Sequence, residues 1–165
     1  MSTSTRFKPF LAFGSLPLPA AALALCLPVF SSAQQNKLAI APVEQVEVKR
    51  GASVTENLKI VVLPGFHVNS DKPKDEFLIP LKLTWTPGPL EPKSIAYPKP
   101  EEIKVGSQML VVFTGNFSIQ TEFKASDLAP RGSAVMQGKL RYQACNNEMC
   151  FRPTTVDVRL PVVIE

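Results

Sequence analysis

Histidine and tryptophan each occur once in this 165-residue chain, and cysteine only three times. With His67 as the lone histidine and no nucleophile motif near a serine or cysteine, a hydrolytic triad has nothing to be built from. A strong charge imbalance is missing too. The 18 basic and 14 acidic residues leave +4, too mild to argue for nucleic acid or an anionic membrane surface as a partner. Helical periodicity is absent after residue 41, where apolar residues recur at a period of two and no convincing amphipathic helix can be drawn. There is no internal repeat and no sign of a second domain. Beyond the N-terminal region no segment is long and apolar enough to cross a bilayer.

The one long hydrophobic run lies at the start. Arg6 and Lys8 precede an apolar stretch over residues 11–30, and Ser31-Ser32-Ala33 follows. A basic start, an apolar middle and small residues at the end describe an export signal, with cleavage expected after Ala33. Pro17, Pro19 and Pro28 interrupt the run and argue against a membrane-anchoring helix. Leu25 precedes Cys26 and is too bulky for lipid modification of that cysteine. The expected division is a signal peptide over 1–33, a flexible lead-in over 34–42 and one β domain over 43–165. Outside the cytosol disulfides persist, and loss of Cys26 with the leader leaves the even pair Cys145 and Cys150.

What the mature chain has in quantity is alternation. Val46 and Val48 begin it, Leu58, Ile60 and Val62 continue it, and Pro64-Gly65 breaks it. Residues 70–76 are charged and carry Pro73, as a loop does. Leu81, Leu83 and Trp85 share the next face, which Pro87-Gly88-Pro89 and Pro92 close, and residues 97–102 are a proline-broken connection. The run 108–114 is apolar on both faces, as in a strand with a covered edge. Phe117, Ile119, Thr121 and Phe123 follow the Gly115-Asn116 turn. Met136, Leu140, Tyr142 and Ala144 line up with Gly138 as an expected bulge, and Val156 to Ile164 alternate cleanly, with Pro161 placing that strand toward an edge. Seven or eight short strands with frequent turns predict an all-β, immunoglobulin-like antiparallel sandwich.

Cys145 and Cys150 are separated by Asn146-Asn147-Glu148-Met149. A disulfide closing so short a loop stabilises a fold by only about 2 kcal/mol, against about 4 kcal/mol for a loop of some fifty residues. Kept for stability alone, it is a weak staple. In a turn it is open to an attacking thiolate, and thiol–disulfide exchange needs that access and a second sulfur in reach. From spacing alone three readings stand open: redox exchange, a structural disulfide, and metal binding. Arg141 and Arg152 are the cations nearest in sequence that would favour a thiolate, though solvated surface charge describes them equally.

Four segments narrow the choice. Tyr142-Gln143-Ala144-Cys145, a polar spacer, Cys150 and a nearby proline resemble the signature of the N-terminal periplasmic domain of DsbD, the disulfide bond corrector family. Pro64-Gly65-Phe66-His67-Val68-Asn69, Tyr97-Pro98-Lys99-Pro100 and Val112-Phe113-Thr114-Gly115 are similar, in order, to further segments of that family. The resemblance implies a thiol–disulfide interchange domain that takes electrons from a membrane-embedded reductant and passes them to periplasmic thioredoxin-like oxidoreductases, as part of a protein-disulfide reductase. It implies Cys150 as the nucleophile that joins the target and Cys145 as the resolving thiol. It makes Phe113 the aromatic that shields the disulfide from a cap loop, with Tyr142 and His67 as supporting residues. It calls for no metal and no small-molecule cofactor, and it agrees with export to the periplasm.

Two departures from the family pattern stand out. Phe151-Arg152-Pro153 follows Cys150 where many relatives carry Pro-Pro. No eight-helix membrane domain or thioredoxin domain accompanies the chain, so a separate membrane protein is expected to supply the electrons. The competing functions are an exported immunoglobulin-like binding module with a structural disulfide, and Cu(I) binding through Cys145, Cys150, Met149 and His67, since soft sulfur ligands suit that ion.

Overall fold

The structure, a computed structural model, describes residues 37–165; the expected signal peptide and its cleavage point lie outside the described residues. Within them every regular element is a strand and there is no helix.

Two four-stranded sheets carry the core. The first has the order β1 (Leu38–Ile40), β3 (Ser53–Val62), β9 (Asn116–Ala125) and β6 (Leu90–Ala96), all antiparallel. The second has the order β2 (Val46–Val48), β12 (Thr154–Ile164), β10 (Gly132–Tyr142) and β5 (Lys82–Trp85). Its pairs are antiparallel except β2 with β12, which run parallel. The inward-facing rows meet between the sheets, as alternation requires of half-buried strands. Leu58, Ile60 and Ile119 of the first sheet pack with Leu83, Leu140 and Val158 of the second. Phe123 and Leu90 pack with Met136, Leu160 and Val162 in an adjoining cluster. Trp85 borders both clusters, sets its ring edge-on to Phe123 at 5.0 Å and donates its indole N–H to Thr121 Oγ1 at 3.2 Å. The result is the expected all-β sandwich.

A third sheet sits against one end of this core, in the order β11 (Ala144–Cys145), β4 (His67–Asn69), β8 (Gln108–Phe113) and β7 (Glu101–Val105). Val68 and Phe113 lead it into the main apolar cluster. This sheet carries the cysteines.

Several expectations change. Leu38–Ile40 is not a free lead-in: it pairs with β3, and Leu38 is buried. Three residues are too few to show a period, which is why the alternation went unseen. Leu90–Ala96 is a strand despite Pro92. It lies at the edge of its sheet, with a register shift between Pro92 and Ser94, a position where proline's missing N–H costs no ladder bond. Gly138 is not a bulge, because its register runs unbroken from Trp85 to Val158. It is small for packing reasons: a Cβ there would meet the Trp85 ring at 2.8 Å. Pro161 matches its expected place only in part, since β12 has β10 as its single neighbour up to Pro161 and gains β2 from Val162 onward.

Candidate functional site

Strand β10 runs directly toward the cysteines. Tyr142 ends it on the core side, Gln143 interrupts the ladder, and Ala144–Cys145 pairs with β4 in the register Ala144 to Val68 and Cys145 to His67. The chain then turns sharply. Asn146 Oδ1 accepts hydrogen bonds from the backbone N–H of Glu148 at 2.9 Å and of Met149 at 2.8 Å, and Asn146 N–H donates to Met149 O. An Asn side chain that closes a turn on its own backbone is a common device for so short a reversal. Phe151 N–H donates to Ala144 O at 2.9 Å, so the outgoing chain lies back along β11. Cys145 and Cys150 face each other across this hairpin, joined by a disulfide, with Cα atoms 4.0 Å apart.

The two sulfur-bearing residues are not equivalent. Cys145 is 1% exposed, whereas Cys150 lies at the surface next to exposed Met149. Neighbours in a cross-strand row share a face, and successive residues alternate faces. Ala144, Val68 and Phe113 form the row that enters the core. Cys145 and His67 form the next row, on the opposite face, and both are buried outside the two apolar clusters.

His67 stands beside Cys145 with its Nε2 buried and without a hydrogen-bond partner. Burial alone pushes its pKa below the ordinary histidine value of 6.5, because a charged imidazolium loses hydration there. Burial therefore favours the neutral ring. Tyr142 is buried, and its phenol pKa is raised by burial, an effect opposed by hydrogen bonds with Thr154 and the backbone of Leu38.

The expected residues thus separate into two groups. Cys145, Cys150 and His67 come together. Phe113 does not join them: its ring is 3% exposed, belongs to the core row and stacks on Phe117 at 4.8 Å. Tyr142 belongs to the main apolar cluster. Arg141 and Arg152 are exposed, and the cation packed beside the hairpin is Lys37, with Nζ 4.6 Å from the centre of the Phe151 ring and 6.0 Å from that of Phe66. Phe66 and Phe151 meet edge to face at 5.8 Å. Lys37 and Phe66 are far from the cysteines in sequence, and no local pattern links them to the pair. Among the described residues no three His, Cys, Asp or Glu side chains gather as a metal site.

The family model for the N-terminal domain of thiol:disulfide interchange protein DsbD matches residues 34–161. None of the curated proteins matches the sequence. Among solved structures, the N-terminal periplasmic domain of ScsB from Proteus mirabilis is 16% identical with a TM-score of 0.52, the match covering 74% of this chain and 44% of that one. This chain therefore spans less than half of that ScsB fragment. The Neisseria meningitidis DsbD N-terminal domain in its reduced form is 17% identical over 67% of this chain and 79% of its own, at a TM-score of 0.42. A type I cohesin from Pseudobacteroides cellulosolvens is 11% identical over 78% and 92%, at 0.45. The ScsB likeness is one of fold. The family match covers most of the sequence and contains the cysteine hairpin, and by it the chain belongs to the N-terminal domain family of the thiol:disulfide interchange protein DsbD.

Proposed function

We propose that this domain shuttles electrons outside the cytosol, from a separate membrane-embedded thiol–disulfide reductant to periplasmic thioredoxin-like oxidoreductases, through Cys145 and Cys150. The observation that carries the reading is the asymmetry of the hairpin disulfide, with one sulfur-bearing residue at the surface and one buried opposite His67 in the strand pairing. Exchange proceeds by attack of a thiolate on an accessible sulfur. When the reductant's thiolate attacks Cys150, the bond to Cys145 breaks and Cys145 leaves as a thiolate that takes up a proton. A second attack, on the mixed disulfide, releases the dithiol and oxidises the donor. In the delivering direction the Cys150 thiolate attacks the acceptor's disulfide. Cys145 then attacks Cys150, re-forms the bond and expels the acceptor as a dithiol. Two electrons move in each direction.

A buried Cys145 gains nucleophilicity only by losing its proton in a poorly hydrated place, where a thiolate is costly. On this reading His67, opposite Cys145 in the β4–β11 ladder, serves as the base that takes the proton as Cys145 attacks and returns it when Cys145 leaves.

Cys145→Ser tests the assignment. It leaves Cys150 able to join a target and removes the sulfur that would release it, so mixed disulfides with exported thioredoxin-like proteins accumulate, and Cys150→Ser accumulates none. Trapping by Cys150→Ser alone reverses the two roles. No mixed disulfide from either variant leaves the binding-module reading in its place.

A further inference from the structure

Gln143 makes three hydrogen bonds with one amide group. Its Oε1 accepts from Asn69 Nδ2 at 3.1 Å and from the backbone N–H of Ile79 at 3.2 Å, and its Nε2 donates to Phe151 O at 3.2 Å. The orientation is not free to reverse. Asn69 Nδ2 also donates to Ile79 O at 3.0 Å, so two acceptors fix which end of the Asn69 amide faces Gln143. Two donors then fix Oε1, and the remaining N–H end of Gln143 is turned onto Phe151. Phe151 is the residue after Cys150, and its own N–H is held by Ala144 O. The outgoing arm of the cysteine hairpin is thus tied to the incoming arm through both backbone polar groups of Phe151, without help from the sulfurs.

We infer that Gln143, oriented by Asn69, is a positioning residue for the interchange reaction: it keeps Cys150 within reach of Cys145 after the disulfide has opened. The inference rests on the proposed exchange function. Its physical content is an effective concentration. A resolving thiol attacks quickly when the open pair stays preorganised, and slowly when the arm that bears Cys150 swings away. The same preorganisation favours re-forming the intramolecular bond, so it holds the reduction potential down. Asn146 joins the arms before Cys150, through Glu148 and Met149; beyond Cys150 the ties to the incoming arm are the Ala144–Phe151 bond and the Gln143 side chain.

Glutathione disulfide is a sufficient probe. The Cys150 thiolate attacks it, forming a protein–glutathione mixed disulfide and releasing one glutathione. Cys145 attacks Cys150 in turn, closing the protein disulfide and releasing the second; the two thiol protons of the protein end on the two glutathiones. In Gln143→Met, of similar length but unable to make the amide bonds, closure of the second step slows about tenfold and the potential, read in glutathione buffers, rises by about 30 mV, the equivalent of that factor for a two-electron couple. Asn69→Ser shifts both in the same direction by less, and the double variant goes no further than Gln143→Met, as two members of one chain of contacts should. A merely structural role would lower the unfolding midpoint and leave potential and closure rate at wild-type values. That result in a folded Gln143→Met overturns the inference. Should Gln143→Met not fold, Asn69→Ser decides, and unchanged values there overturn it equally. A wild type that fails to react with glutathione disulfide would instead bring down the exchange reading, and this inference with it.

Discussion

His67 concentrates the chemistry of a single residue into a question of sign. Burial depresses its folded-state pKa below the value of about 6.5 that it has when unfolded. Between those two values the unfolded chain binds a proton that the folded chain refuses. Stability is therefore full above pH 6.5, falls as the pH drops through that window, and levels off once the folded ring is protonated as well. Glu56 acts in the opposite sense, since burial and the nearby Glu44 raise its pKa above 4.5; its contribution is present in acid and lost as pH rises through the raised value. The two effects are separated by substitution. His67→Gln removes the decline that begins near pH 6.5 and leaves the Glu56 effect in place, as urea unfolding at a series of pH values will show. A decline of equal size in the variant means that another group is responsible. The position of His67 could be read only by resemblance. As a lone histidine it had no spacing to betray it, and its partner Cys145 is set by strand pairing.

At the scale of elements, legibility followed length. The strands of ten or eleven residues, β3, β9, β10 and β12, show several periods of alternation, and their buried faces are the ones the pattern marked: Leu58 with Ile60, Ile119 with Phe123, Leu140 with Tyr142, Leu160 with Val162. Phe113 shows the limit. In a run apolar on both faces, the period cannot say which face meets the core, and the ring proved to be a core ring. The cysteine turn was visible from its two sulfurs and the polar residues between them. The contacts that hold it were not, because Asn69, Ile79 and Gln143 are brought together only by the third sheet. The three-residue strand β1 was missed altogether, and it supplies a prediction. Leu38 is buried at 1% exposure among residues of β3 and β10, with Tyr142 in the same cluster. Leu38→Ala removes a buried side chain and leaves a cavity, which costs about 2–5 kcal/mol. A free lead-in at this point would make the substitution neutral in denaturant titration.

For the molecule as a whole, the proposed function requires one fold in both redox states, or every transfer would carry a folding step with it. The construction meets that requirement. The two apolar clusters are filled mostly from the two large sheets, whose long strands are paired along their length. The disulfide spans a sequence separation of only 5, so it restrains little of the unfolded chain, worth about 2 kcal/mol in the entropy model. The hairpin that bears it is held besides by Asn146, Gln143 and the Phe151–Ala144 bond. Reduction should therefore lower the unfolding free energy by about 2 kcal/mol and leave the transition a single cooperative step with an unchanged denaturant slope, since the surface exposed on unfolding is nearly the same. Urea titrations of the oxidised and reduced protein, each followed by tryptophan emission from the one indole at Trp85, measure both quantities. Trp85 reports on the core at the junction of the two clusters, not on the hairpin. A reduced protein that has already lost the Trp85 signal without denaturant would mean that the disulfide holds the sandwich together, and an interchange cycle could not run through it.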